Sequence, residues 1–259
     1  MNYGLYLSAS GVLTSMYRQD VLANNLANVE TAGFKEHLPT VRQRPAEAVE
    51  DDLGIEVSQR LLDRLGGGAL AGPGHYNFDT GPLQHTAQPL DLALTQRDQF
   101  LAVRGDADGN HPFTLTRDAR LTVNADGLLT NASGDPVVDQ NGRTIKLDSQ
   151  LPVEITGHGQ VVQAEQVVGQ LKVFRANDLA DVRPIGGNRF TTDKPFDQVF
   201  KTVDQPQFKV GFVEQSGVDA VRTMTEMIEA ARAIQWNSRL MQYNDQMIQQ
   251  AVGTLAAVA

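Results

Sequence analysis

Residues 224–255 read MTEMIEAARAIQWNSRLMQYNDQMIQQAVGTL, and the spacing of their apolar side chains sets the architecture. Met224, Met227, Ala231, Ile234, Ser238, Met241, Asp245, Ile248, Val252 and Leu255 follow alternating steps of three and four. That is a heptad seam sustained over roughly four heptads, the length at which a coiled coil becomes the leading reading. A helix of roughly 40 residues at 1.5 Å per residue is about 60 Å long. A small domain cannot cover so long an apolar face. Ser238 and Asp245 place polar side chains in the seam, where they set register at a cost in stability.

The opposite end of the chain has a similar period. Leu5, Ala9, Val12, Met16, Ala23 and Leu26, with Gln19 in the gap, define one face of a helix from Leu5 to about Leu26. Ser8, Thr14, Arg18 and Asn25 fall on the other face, and Gly33 marks a stop a few residues beyond. The two terminal helices are expected to pair with each other in part, as a coiled coil. Their outer seams stay uncovered, which predicts association with other subunits.

Between the helices the pattern is one of short runs and turns. From Leu83 to Val210, turn signals separate short β-rich runs: Ala125-Asp126-Gly127, Ser133-Gly134-Asp135-Pro136, Asn141-Gly142 and Gly157-His158-Gly159. No helical pattern intervenes, so the middle reads as antiparallel and all-β. Gly66-Gly67-Gly68 through Gly72-Pro73-Gly74 reads as linker, since it lacks the Gly-Lys-Ser/Thr ending of a phosphate-binding loop. The segments are therefore 1–35, N-terminal helix and its exit; 36–82, irregular linker; 83–210, antiparallel all-β domain; and 211–259, C-terminal helix. The fold class is a mainly β middle domain with long N- and C-terminal α-helices that pair as a coiled coil.

Composition bounds the function. With 259 residues, 41% hydrophobic and 20% charged, the chain buries a real core. A formal net charge of -9 argues against nucleic acid, whose phosphates call for a Lys/Arg surplus. The absence of cysteine excludes disulfides and thiolate chemistry. Met1-Asn2-Tyr3-Gly4-Leu5-Tyr6 has neither the basic start nor the apolar run of a cleaved signal, and no apolar run reaches the length of a membrane span.

Catalytic patterns are missing. His37, His75, His85, His111 and His158 lack metal-ligand spacing. Asp106-Ala107-Asp108-Gly109-Asn110 begins like a calcium loop, but Arg117 stands where a bidentate Glu is needed, so it reads as a hairpin turn. No Ser lies in a Gly-x-Ser-x-Gly elbow. Phe100, Phe113, Phe174 and Phe190 read as core. No catalytic residue, cofactor, metal or small-molecule substrate is assigned, and the chain is expected not to be an enzyme.

Residues 23–35 read Ala-Asn-Asn-Leu-Ala-Asn-Val-Glu-Thr-Ala-Gly-Phe-Lys. This stretch resembles the N-terminal signature of bacterial flagellar rod and hook proteins. The resemblance places Ala23, Asn24, Asn25, Leu26, Ala27, Asn28, Thr31, Gly33, Phe34 and Lys35 on the family motif. Thr80-Gly81-Pro82-Leu83, Pro89 to Leu94, Thr116-Arg117, Asp126 to Thr130, Glu214-x-Ser216-x-Val218, Met227 to Ala233 and Asp245 to Ile248 are similar to later family segments. After Leu94 the family's Gly-x-Gly-Phe-Phe is replaced, with Gln96, Asp98 and Gln99 in the changed positions.

The resemblance implies a structural subunit of the flagellar basal-body rod, exported without a cleaved signal peptide and built into the periplasmic shaft. Its partners would be itself and other rod or hook subunits, with no direct membrane insertion. The assembly seam would be Met224, Met227, Ala231, Ile234, Met241, Ile248, Val252 and Leu255. A hook-type axial protein, a secreted β-domain enzyme and an adaptor with a helical bundle stay open beside it.

Overall fold

The computed structural model describes residues 3–45, 66–105 and 113–258. The chain divides into two compact units, one of Met1–Ala27, His37–Tyr76 and Asp219–Ala259, the other of Asn28–Glu36 and Asn77–Val218. Helices dominate the first and antiparallel sheets the second.

In the first unit, helix α1 spans Tyr3–Ala27 and helix α2 spans Ala220–Val258. The 39 residues of α2 make it about 58 Å long. Asp219 caps it: its Oδ1 accepts from Arg222 N at 3.0 Å, satisfying a first-turn donor. Gly4 stands opposite Asn244 and Gly11 opposite Asn237, while Arg18 Nη2 lies 3.6 Å from Glu226 Oε2. Rising numbers on α1 meet falling numbers on α2, so the helices pack antiparallel.

The buried face of α1 differs from the one its apolar spacing predicts. Ser8, Thr14, Val21, Leu22 and Asn25 are buried, whereas Tyr6, Leu13 and Met16 are exposed. The reason is local hydrogen bonding. Ser8 Oγ donates to Gly4 O at 2.8 Å, Thr14 Oγ1 to Ser10 O at 2.9 Å and Ser15 Oγ to Gly11 O at 2.7 Å. A hydroxyl satisfied by its own helix is cheap to bury. Small polar residues therefore share the buried face with Val21 and Leu22, while Tyr6, Leu13 and Met16 are left outside.

A two-stranded sheet of Val41–Gln43 and Ala69–Ala71 lies on α1. Ala69 N donates to Ser10 Oγ at 3.3 Å, and Tyr17 OH donates to Gly72 O at 3.4 Å. Part of the expected linker is thus ordered sheet; residues 46–65 of it lie outside the described residues.

The second unit is built of antiparallel ladders. Its largest sheet has the order Arg183–Gly186, Arg189–Thr191, Thr114–Thr116, Gln99–Val103, Val173–Ala176, Phe200–Thr202. A four-stranded sheet has the order Leu129–Asn131, Ala119–Val123, Asp91–Leu94, Phe208–Val210. Val153–Ile155, Gln160–Gln163 and Gln166–Gln170 form a third. Leu94, Leu101, Val103, Leu129, Val161 and Val173 meet in one core drawn from all three sheets. Phe100 is fully buried, with the rings of Phe78, Phe190 and Phe200 at 5.7, 5.5 and 6.4 Å. Offset and edge contacts of this kind add to what burial alone contributes.

Two of the four expected turns, Ala125-Asp126-Gly127 and Gly157-His158-Gly159, fall between strands, and the other two adjoin isolated bridges. Asn124 Oδ1 accepts from Asp126 N at 3.0 Å and Leu128 N at 2.8 Å, so an asparagine ahead of the quoted Ala125-Asp126-Gly127 organises that turn. Thr144 to Leu147 does not form a continuous strand and contributes only isolated bridges, Val138 with Thr144 and Leu128 with Lys146. The Asp106–Asn110 segment and His111 lie outside the described residues.

Candidate functional site

The signature segment begins in the last turns of α1. Asn25 is fully buried and pairs with one residue twice: its Nδ2 donates to His37 O at 2.7 Å, and His37 N donates to its Oδ1 at 3.0 Å. A side-chain amide carries both a donor and an acceptor, so it matches the backbone as a neighbouring strand would. Ala23, Asn24 and Ala27 are exposed, and Leu26 is half-buried.

The rest of the motif belongs to the second unit. Asn28 O accepts from Thr31 N at 3.1 Å, and Asn28 Oδ1 accepts from Thr31 Oγ1 at 3.2 Å, closing a turn after α1. Gly33 is buried with φ at +69° and donates its N–H to Glu214 O at 2.8 Å. A Cβ there would lie 2.7 Å from Arg117 C, so both backbone conformation and space demand glycine. Phe34 is half-buried, and its carbonyl accepts from Gly217 N at 3.2 Å. Asn188 Nδ2 donates to Ala32 O at 2.7 Å.

Lys35 carries the motif into the interior. Its Nζ donates to Glu214 Oε1 at 2.6 Å and to Asp79 O at 2.8 Å. Arg117 reaches the other carboxylate oxygen, with Nη2 at 2.6 Å and Nε at 3.0 Å from Oε2. Its Nη1 donates to Gln96 O at 2.6 Å and Gln99 O at 2.7 Å. Gly81 N adds a fourth donor-to-carboxylate contact, 3.0 Å from Oε1. The side chains of Lys35, Arg117 and Glu214 are all about 1% exposed or less. Burial, and then the neighbouring guanidinium, lowers the Lys35 ammonium from 10.5 to about 8.

One carboxylate thus gathers three distant parts of the chain. Phe212–Glu214 pairs with Leu83–His85, Glu214 opposite Leu83, which brings the carboxylate to its partners. Glu214 and Arg117 were legible only as positions similar to a family, with no local chemical signal of their pairing.

On α2 the side chains turned inward are Thr223, Met227, Ala230, Ile234, Asn237, Met241, Asn244 and Ile248, all buried or half-buried at steps of four and three. Met227, Ile234, Met241 and Ile248 of the expected seam lie on this line, and Ala231 and Ser238 flank it half-buried. Met224 is 48% exposed, Val252 61% exposed, and Asp245 is also exposed. The Leu255 side chain lies outside those described. Outside the seam, Trp236, Leu240, Tyr243 and Met247 form an exposed apolar stripe, with Trp236 at 63%. Among the described residues, no group of His, Asp or Glu is placed to hold a metal, and no helix is long and apolar enough to cross a membrane.

Both helix ends match known families. Residues 5–35 match the family described as flagella basal body rod protein, and residues 209–254 match flagellar basal body rod FlgEFG protein C-terminal. The chain is 30% identical, over the whole of both proteins, to the flagellar basal-body rod protein FlgF of Caulobacter vibrioides. It belongs to the flagellar basal-body rod protein family. It is also 30% identical to the flagellar hook-basal body complex protein FlhP of Bacillus subtilis, over 93% of this chain and 96% of that one. The flagellar basal-body rod protein FlgG of the same organism is 28% identical over 96% of this chain and 97% of its own. The rod family is a structural one and not an enzyme class. Its two matched segments contain most of α1, most of α2, and both Lys35 and Glu214; Arg117 comes from between them.

Proposed function

We propose that the chain is a structural subunit of the bacterial flagellar basal-body rod that polymerises through its terminal helices into the torque-transmitting shaft. The observation that carries this reading is the 30% identity over the full length to a basal-body rod protein, joined to the exposed apolar stripe on α2. Large exposed apolar patches on a soluble fold are surfaces for association. The α1–α2 pair acts as a short antiparallel coiled coil, and its outer faces meet other copies and other rod or hook subunits. The chain acts mechanically, carries no catalytic activity and takes no cofactor.

Residues turned toward α1, such as Met227 and Ile234, hold the helix pair together. Residues turned outward test assembly more cleanly. Leu240→Asp and Tyr243→Asp should leave both units folded and abolish rod formation and motility in a host lacking its own copy. Normal motility with both changes would overturn the assembly surface.

A further inference from the structure

The helix pair contains a repeat of seven that the rod reading leaves unused. Gly4 and Gly11 on α1 face Asn244 and Asn237 on α2. A Cβ at Gly4 would lie 3.2 Å from Asn244 Oδ1, and one at Gly11 would lie 2.9 Å from Asn237 Oδ1. Both asparagines are half-buried, and each is fixed by its own helix: Asn237 Nδ2 donates to Ala233 O and Asn244 Nδ2 to Leu240 O, both at 2.9 Å. Those bonds leave each Oδ1 turned into the gap where a glycine has no side chain. A glycine within a helix is destabilising against alanine. Two of them facing two asparagines at the same spacing are explained by close approach.

We propose that Asn237 and Asn244, seated against Gly11 and Gly4, are the register determinants of the α1–α2 pair. A polar side chain at a seam position is the best-attested way for paired helices to select one register. Displacement by a few residues drives each amide against a side chain. A slip of seven residues, about 10.5 Å, remakes one contact, Asn244 against Gly11, but sets Asn237 against Arg18 and separates Arg18 from Glu226. The native register alone seats both amides and keeps that ion pair. The outward residues share the repeat: Tyr6 with Leu13, Trp236 with Tyr243, and Leu240 with Met247, all seven apart. Register therefore decides which outward apolar side chains stand level.

The absence of native cysteine makes the test direct. The full-length chain is made with Gly4→Cys and Asn244→Cys, leaving the Gly11–Asn237 contact intact. The Gly4 Cβ position is 3.7 Å from Asn244 Cγ, within reach of a disulfide. Mild oxidation of the monomer should give an intrachain cross-link in nearly every molecule. Adding Asn237→Leu, which keeps an apolar seam and a good helix former, should lower the cross-linking rate about tenfold with helix content unchanged. Adding Gly11→Ala in place of that change, which displaces the Asn237 amide, should do the same. Equal rates in all three chains would overturn the proposal. The measurement is made on the unassembled chain, so its failure is read separately from any failure of the rod reading.

Discussion

Lys35 Nζ and Glu214 Oε1 are 2.6 Å apart across 179 positions of sequence, in a fully buried contact. The pair ties the segment that follows α1 to the strand that precedes α2. Gly33 N to Glu214 O and Gly217 N to Phe34 O flank it with backbone bonds. Within the second unit, the chain's entry from α1 and its departure towards α2 are thereby held side by side.

Removing the carboxylate should be the most damaging change here. Glu214→Gln keeps an acceptor for Gly81 N but leaves Lys35 and Arg117 as buried cations without an anion. Breaking a buried pair on one side costs about 3–5 kcal/mol. The expected result is a large fall in the urea midpoint, with hydrogen exchange rising first at Gly33 and Lys35. An unchanged midpoint would show that the cluster contributes nothing.

Stability should rise with pH above about 8. The Lys35 ammonium sits near 8 in the folded chain against 10.5 as its ordinary value. Between those values the unfolded chain holds a proton that the folded chain has released. Unfolding therefore becomes less favourable as pH rises, by up to about 1.4 kcal/mol per pH unit from this group. Lys35→Met should abolish that slope in urea titrations between pH 8 and 10. A slope equal to wild type would assign it to other groups.

Gly33→Ala combines a positive φ with a Cβ 2.7 Å from the Arg117 backbone. Left-handed strain alone costs about 1–2 kcal/mol in a non-glycine residue, and displacing the Arg117 backbone adds to it. Calorimetry should show a lowered Tm for this variant. An Ala chain as stable as wild type would mean that the segment relaxes freely.

Asn25→Leu removes both hydrogen bonds to His37 while preserving bulk. Two half-buried backbone groups lose their partner, each at a cost of about 1 kcal/mol. The loss should appear as faster exchange of the His37 amide. Continued protection of that amide would contradict the pairing.

The long C-terminal helix was legible from its apolar repeat of seven, and the antiparallel middle from turn signals such as Ala125-Asp126-Gly127 set between short β-rich runs. The finer facing was not. Hydrophobicity gives no reason to prefer Asn244 to Asp245, or Ala230 to Ala231, until the opposing glycines are in view. On α1 the error ran the other way, since Ser8 and Thr14 look polar but satisfy their hydroxyls within the helix. The ion cluster was illegible for a third reason. Lys35, Arg117 and Glu214 meet only because distant strands pair, and no local pattern encodes that meeting. The signature residues were visible as a resemblance, while their individual duties, such as Asn25 matching the backbone of His37, required coordinates.

On the proposed function, the outward stripe of α2 builds a rod. The decisive measurement is the content of this chain in basal bodies purified from a host lacking its own copy and supplied with Leu240→Asp/Tyr243→Asp. The account predicts wild-type levels for the unaltered chain and none for the variant, whose amide exchange in the β core stays native. Incorporation of the variant at the wild-type level would contradict it.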